Sequence, residues 1–198
     1  MRTLVRRINE WDAPTMLKIY KPYVDDSNAT AETVLPTIAE YTQRIDKYTY
    51  GYGWIMSEID GETAGFCLLN ENRYDPENMF TAEIQLYVKP SLLRRHVGDS
   101  LYSMMFDIMQ YGNKRKVFAR IPLPNDAAVA FHKHWGFEDY AIEKDGMEKN
   151  GVKYDVLVME KTLNPVNPDA IRPTKPYLID SADYEKARLK AGALIKEV

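Results

Sequence analysis

The chain has 198 residues, 26 Lys plus Arg against 29 Asp plus Glu, a net charge of −3 and a hydrophobic fraction of 45%. That balance suits a globular chain that can bury a core without metal or disulfide staples, and the missing basic excess argues against a duplex nucleic-acid binder. One cysteine, Cys67, excludes an intrachain disulfide and a thiolate metal cluster. No run reaches the ~18 apolar residues of a membrane span, and the start MRTLVRRINEWD has no apolar stretch behind its basic residues. The expectation is a cytoplasmic protein with no membrane and no nucleic-acid partner.

Thr3 to Ile8 reads as a strand, and Asp12 to Tyr23 as a helix with Pro14 in its first turn. After a polar stretch, Thr37 and Glu40 have capping-box spacing and open a second helix that runs to about Lys47. Tyr52–Ile59 and Thr63–Asn70, joined by Asp60-Gly61, form a hairpin. Phe80 to Val88 is the most strand-like run, and Pro90 stops it. A helix follows from about Gly98 to Tyr111, with Gly112 past its end, then a strand from Lys116 to Pro122. Asn125 to His134 is a short helix, and Phe137–Glu143 with Val152–Glu160 a final hairpin. Strands and helices alternating in this order give an α/β fold with a mixed sheet.

Composition changes at Leu163. Prolines 165, 168, 173 and 176 read as an extended linker, and Ser181 to Glu197 as a helix with Tyr184, Ala187, Ala191 and Leu194 at helical spacing. Residues 1–162 are therefore expected to form one domain, and 163–198 a proline-rich linker and helical tail that docks on the body or on a second subunit.

The chemistry concentrates in EIQLYVKPSLLRRHVGDSL, Glu83 to Leu101. A strand ends at a proline, a loop with Arg94, Arg95 and His96 follows, and Gly98 opens a helix. Unpaired N–H groups at a helix start, two arginines and a glycine suit a phosphate. Alternation puts Thr81, Glu83, Gln85 and Tyr87 on one face of the strand and Ala82, Ile84, Leu86 and Val88 on the other, so Glu83 can face an interior cleft. Cys67 lies in an apolar run and reads as core. Lys114, Arg115 and Lys116 read as a solvated charge run that could also meet a ligand phosphate.

Downstream, PNDAAVAFHKHWGF (Pro124 to Phe137) follows a strand with an Asn-initiated helix and a terminal Gly-Phe. With the 93–98 loop, this arrangement resembles the GNAT superfamily of N-acetyltransferases over about residues 3 to 160. Within it, KPYVDDSNATAET (Lys21 to Thr33), TAEIQLYV (Thr81 to Val88), LPNDAAVAFH (Leu123 to His132) and Gly151…Asp155 are similar to the phosphinothricin and methionine-sulfone N-acetyltransferases. Four positions depart from the pattern: Leu93 where Gln or Arg is usual, His96 where the first loop glycine stands, Ala31 where the subgroup has an aromatic, and Arg73, which lies near and not on the subgroup's basic loop position.

The resemblance implies a mixed, mostly antiparallel sheet, flanked by helices and splayed between its fourth and fifth strands. It implies acetyl-CoA as co-substrate, no metal, and direct acetyl transfer to the primary amine of a small amino acid or analogue, in a subgroup whose members are commonly homodimers. The catalytic candidates are Glu83, as base, and His132, as proton donor or hydrogen-bond partner to the thioester sulfur. Coenzyme contacts are expected from the main chain of Leu86, Tyr87 and Val88, from Arg94, Arg95, His96, Val97, Gly98 and Asp99, and from Asn125. Ser27, Thr30, Glu32, Arg73 and Tyr74 are expected to shape the acceptor site, with Arg73 pairing a carboxylate. A polyamine or protein amine is the alternative acceptor, and a non-catalytic binding module with an altered coenzyme loop is the alternative of another class.

Overall fold

The computed structural model describes residues 1–196. Its elements are β1 (Thr3–Arg7), α1 (Ala13–Asp26), α2 (Ile38–Thr49), β2 (Trp54–Ile59), β3 (Glu62–Asn70), β4 (Thr81–Val88), α3 (Val97–Tyr111), β5 (Lys116–Pro122), α4 (Asp126–His134), β6 (Glu138–Lys149), β7 (Val152–Thr162) and α5 (Ser181–Gly192). The strands form one sheet in the order β1-β2-β3-β4-β5-β7-β6, antiparallel throughout except for the parallel β4–β5 pair.

Apolar side chains cover both faces of this sheet. Ala13, Met16, Tyr20, Val24, Tyr41 and Ile45 of α1 and α2 pack with Met56, Phe66 and Tyr87 on one face. On the other, Leu101, Met104, Met105 and Ile108 of α3 pack with Ile55, Cys67, Ile84 and Met159. Strands buried on both faces place a mid-strand polar group between two layers of protein.

Local signals set most element ends. Thr37 Oγ1 accepts from Glu40 N, and Glu40 Oε2 accepts from Thr37 N, which closes the capping box of α2. Asp60 (φ 51°) and Gly61 (φ 85°) both take the left-handed conformation of a type I′ hairpin turn. At the end of α3 the left-handed residue is Asn113 (φ 59°), not Gly112. Lys114 N bonds Met109 O at 2.9 Å and Asn113 N bonds Gln110 O at 3.1 Å, a Schellman closure with asparagine at its left-handed position. Gly112 serves close approach instead, since a Cβ there would lie 2.9 Å from Ile108 O.

Two expected elements differ in length. The last hairpin is longer, because β6 continues to Lys149 and turns at Asn150-Gly151 (φ 51° and 77°). Its charged residues Glu143, Lys144 and Asp145 break the apolar alternation, although the Asn-Gly pair marks the turn. The tail helix ends at Gly192, short of the expected Glu197, which lies outside the described residues. Leu194, expected on its apolar face, follows the helix and is partly exposed, and Ile195 is buried in its place.

The proline-rich stretch is extended but packed. Leu163 N bonds Arg115 O, Val166 N bonds Gln110 O and Thr174 N bonds Gly112 O, which ties the segment to the C-terminal end of α3. Helix α5 then packs on α3 and β1, with Ala187 and Ala191 buried.

Candidate active site

The centre of the site is the divergence of β4 from β5. Their parallel ladder spans just Thr81↔Lys116, Ala82↔Val117 and Glu83↔Phe118. Lys89 N bonds Ala64 O, and with the register Gly65↔Val88 this turns the main-chain groups of Gln85 and Tyr87 towards β3 and those of Ile84, Leu86 and Val88 towards the splay. The three expected main-chain contacts therefore differ. Tyr87 is spent on β3. Val88 is spent on the Tyr23 hydroxyl, which donates to Val88 O at 2.6 Å and accepts from Val88 N at 3.2 Å. Leu86, beyond the end of the ladder, opens onto the cleft.

A cavity of ≈ 780 Å³ follows this splay to the start of α3, lined by Leu86, Val88, Arg94, His96, Val97, Gly98, Asp99, Asn125 and His132 among others. Arg94 (φ 64°) and His96 (φ 58°) both hold left-handed backbone. The His96 ring turns to Asp99, with Nδ1 2.8 Å from Oδ2, and Trp135 Nε1 donates to Asp99 Oδ1 at 2.9 Å. A Cβ on Gly98 would come within 3.2 Å of the Phe131 ring and 3.3 Å of Leu86, so glycine lets α3 start against both. Asn125 Oδ1 caps α4 by accepting from Ala128 N at 3.2 Å. Arg95 is a correction. It does not line the cavity, and its Nε donates to Lys196 O at 3.2 Å.

On the opposite face of β4 lies a second cavity of ≈ 730 Å³, more polar, with Thr30, Glu32, Arg73, Glu83 and Gln85 in its wall. Glu83 is 4% exposed. Its Oε1 accepts from Arg73 N at 2.9 Å and Arg73 Nε at 3.0 Å, while Oε2 has one longer contact of 3.3 Å with Nε. The outer nitrogens of the Arg73 guanidinium have no hydrogen-bond partner among the described residues, and the side chain is 54% exposed. Thr30 Oγ1 lies 2.6 Å from Tyr20 OH, and Glu32 pairs with Arg44. The two cavities share Ala29, Ile84, Gln85, Tyr87, Arg120 and Pro122, so they meet across β4.

Ser27 and Tyr74 lie outside both cavities. Ser27 Oγ donates to Tyr23 O at 2.9 Å and accepts from Ala29 N at 3.2 Å, finishing α1 rather than facing a ligand. Tyr74 joins Arg120 and Glu143 in a cluster that ties the 72–80 loop to β5 and β6. Burial holds the Arg120 guanidinium below its ordinary pKa, with Arg73 adding to the effect, and burial raises the Glu143 carboxyl.

His132 is buried, and both its ring nitrogens are engaged. Ala128 O can only accept, so Nδ1, 2.8 Å away, carries the proton; Nε2 then accepts from Tyr102 OH at 2.9 Å. Burial also pushes the imidazole pKa down, outweighing the Ala128 bond. The ring therefore has no N–H for a sulfur in this arrangement, which corrects its expected role as proton donor. The charge run is also corrected. Lys114 is buried, bonds Met79 O and falls to about 8 through burial, Arg115 bonds Pro168 O and Ala170 O, and Lys116 pairs with Glu160. None of the three lines either cavity.

Sequence reading missed Tyr23, Tyr102, Arg120 and Lys149. Period-two alternation in β5 could have singled out Arg120, a charged residue in an apolar run; the others carry no sequence signal for the partners they meet. Lys149, at the end of β6, is buried and donates from Nζ to Val24 O and Ser27 O at 2.6 Å and to Tyr23 O at 3.3 Å, closing α1 and fixing the start of the 27–33 loop. Cys67 is fully buried and its thiol pKa is raised by desolvation, which fits core packing and not nucleophilic catalysis. Among the described residues no group of three His, Cys, Asp or Glu could hold a metal, and no helix is long and apolar enough to cross a membrane.

Comparison with known proteins gives a family and a fold. The model of the acetyltransferase (GNAT) domain matches residues 5–158. Phosphinothricin N-acetyltransferase of Streptomyces viridochromogenes is 25% identical over 174 residues, 85% of this chain and 93% of that protein. The enzyme of the same name from Alcaligenes faecalis is 26% identical over 162 residues, 81% of this chain and 82% of its own. In fold, the chain matches a GNAT superfamily phosphinothricin acetyltransferase from Sinorhizobium meliloti solved with AcCoA, with a TM-score of 0.78, 24% identity, and coverage of 88% of this chain and 94% of that one.

Proposed function

Since the chain belongs to the GNAT family and is an N-acetyltransferase, we propose that it moves acetyl from acetyl-CoA to the primary amine of a small amino acid or analogue. The observation that carries this reading is the pair of cavities meeting across β4: a cleft reaching a basic loop at the start of α3, and a more polar chamber holding Glu83 and Arg73. Direct transfer needs this arrangement, because both reactants must be held at once.

The residues fit the coenzyme. The N–H groups at the start of α3 and Arg94, which has no ion-pair partner among the described residues, would take its phosphates, Leu86 would hydrogen-bond its arm, and the His96 ring is turned to Asp99. Acetyl-CoA, when bound, would supply a thioester whose carbonyl carbon an amine can attack, and a thiolate leaving group that takes the amine's second proton and departs as the CoA thiol. Glu83 Oε2 receives the proton of the incoming ammonium, while Arg73 holds Oε1 and presents its outer nitrogens to the substrate carboxylate. Leu86 N–H is the donor for an oxygen that gains negative charge, since the N–H groups of its strand neighbours Tyr87 and Val88 are engaged. His132 forms the neutral wall beside it, oriented by Tyr102 and Ala128. The same reading makes the protein a cytoplasmic homodimer, and residues 1–162 its catalytic domain.

Calorimetric titration with acetyl-CoA tests the reading, with desulfo-CoA and ATP as controls. Micromolar binding that Gly98→Trp abolishes is expected, because an indole at 98 would fill the space between Phe131, Leu86 and the cleft. A folded protein that does not bind acetyl-CoA would overturn it.

A further inference from the structure

We infer that the C-terminal tail is a positioning brace for the loop that opens α3, acting through a hydrogen-bonded clasp between Arg95 and Lys196. Lys196 N donates to Arg95 O at 3.2 Å, and Arg95 Nε donates back to Lys196 O at 3.2 Å. The two residues flanking Arg95 are the ones that need holding. Arg94 and His96, at φ 64° and 58°, occupy the left-handed region that glycine enters freely and residues with a Cβ enter at a cost. The cap of α3 offers little help, because His96 makes no side-chain bond to the backbone of the helix it opens. Its ring bonds the Asp99 side chain instead. Ser100 N holds His96 O at 2.9 Å from the helix side, and the clasp adds a main-chain restraint at Arg95, between the two strained residues.

The tail can act as a brace because it is anchored independently of the loop. Ala187, Ala191 and Ile195 are buried in the core on the α3 face, Gly192 O accepts from Thr3 Oγ1 at 3.0 Å, and Lys190 pairs with Asp107 of α3 at 2.9 Å. Lys196 follows Ile195 directly and is thus presented to Arg95 from a fixed point. The GNAT domain match ends at residue 158, so the brace lies outside the matched region. Arg95, which points away from the cleft, acts on the coenzyme through the backbone of its neighbours and is a positioning residue, not a contact residue.

This inference rests on the reading that the loop takes acetyl-CoA, and its test keeps the two apart. The full chain and the double variant Arg95→Ala/Lys196→Pro, which removes both donors of the clasp, are compared by calorimetry with acetyl-CoA, by steady-state kinetics, and by amide hydrogen exchange of residues 94–98 without ligand. The variant should bind acetyl-CoA about fivefold to thirtyfold more weakly, the scale expected for two hydrogen bonds, with kcat at saturating coenzyme nearly kept and faster exchange in the loop. Adding His96→Gly should recover most of the affinity, since glycine relieves the strain that the clasp offsets; a general loss of folding would not be repaired this way. Unchanged affinity and exchange in the double variant would overturn the brace, as would a loss that His96→Gly does not reduce. If the parent chain binds no acetyl-CoA, the functional reading falls, and the exchange comparison still decides whether the clasp holds the loop.

Discussion

Arg73 occupies one oxygen of Glu83 with two donors and touches the other at 3.3 Å, so a buried acid is both neutralised and left with room for a proton. Replacing that acid by an isosteric amide keeps the packing and removes the base. Glu83→Gln should lower kcat about a hundredfold or more while leaving the Kd for acetyl-CoA unchanged, as measured by thiol release and calorimetry. An unchanged kcat would remove Glu83 from the chemistry. In the same assays Arg73→Ala should raise the KM for an amino-acid acceptor about tenfold or more, because a charge-assisted pair is lost.

His132 gives a pH dependence whose sign follows from its burial. Desolvation holds the folded pKa below the ordinary 6.5, so the folded site refuses a proton that the unfolded chain accepts. The contribution of His132 to stability is complete above pH 6.5 and falls as pH drops from there towards the lowered folded value. Denaturation midpoints of the parent should decline over that window, and His132→Gln should flatten the decline. A decline of equal slope in the variant would assign it to other groups. That Glu83 and Thr30 line the polar cavity was legible, because period-two alternation and a motif match point to them. The Tyr102–His132 bond was not, since the two residues are thirty positions apart and meet only when α3 packs beside α4.

Among the elements, β6 does more than extend the sheet. Its last residue, Lys149, reaches across to the C-terminal carbonyls of α1, and those carbonyls begin the loop that carries Thr30 and Glu32. Capping by a lysine at a helix C-terminus satisfies acceptors the helix leaves open. Lys149→Met should therefore destabilise the fold by about 2 kcal/mol or more in chemical denaturation and raise the KM for the amine, with the Kd for acetyl-CoA unchanged. Equal stability and KM would show that the loop is held by other contacts. At this scale the sequence is informative where punctuation is local: the Thr37 capping box, the Asp60-Gly61 turn and the Pro90 stop all stand where expected. It is less so for β6, whose exposed residues lack the alternation that a strand with one buried face shows.

For the whole molecule, the order of strands and helices, the α/β class, the family and the position of the Glu83 strand follow from the sequence, because each is written in short-range patterns and separated motif matches. The pairing of cavities across β4 does not, since it depends on the ladder with β5 ending after Glu83↔Phe118. Neither does the division of labour among Leu86, Tyr87 and Val88, which adjacent residues acquire from which strand or side chain their main chain happens to face. The tail shows the same limit: its helix was expected from spacing, but the clasp of Lys196 on Arg95 joins residues 101 positions apart. Sequence determined which groups this protein carries and the local conformations they favour; the tertiary structure alone decided which of them meet, because partners brought together by packing leave no periodic trace in the chain.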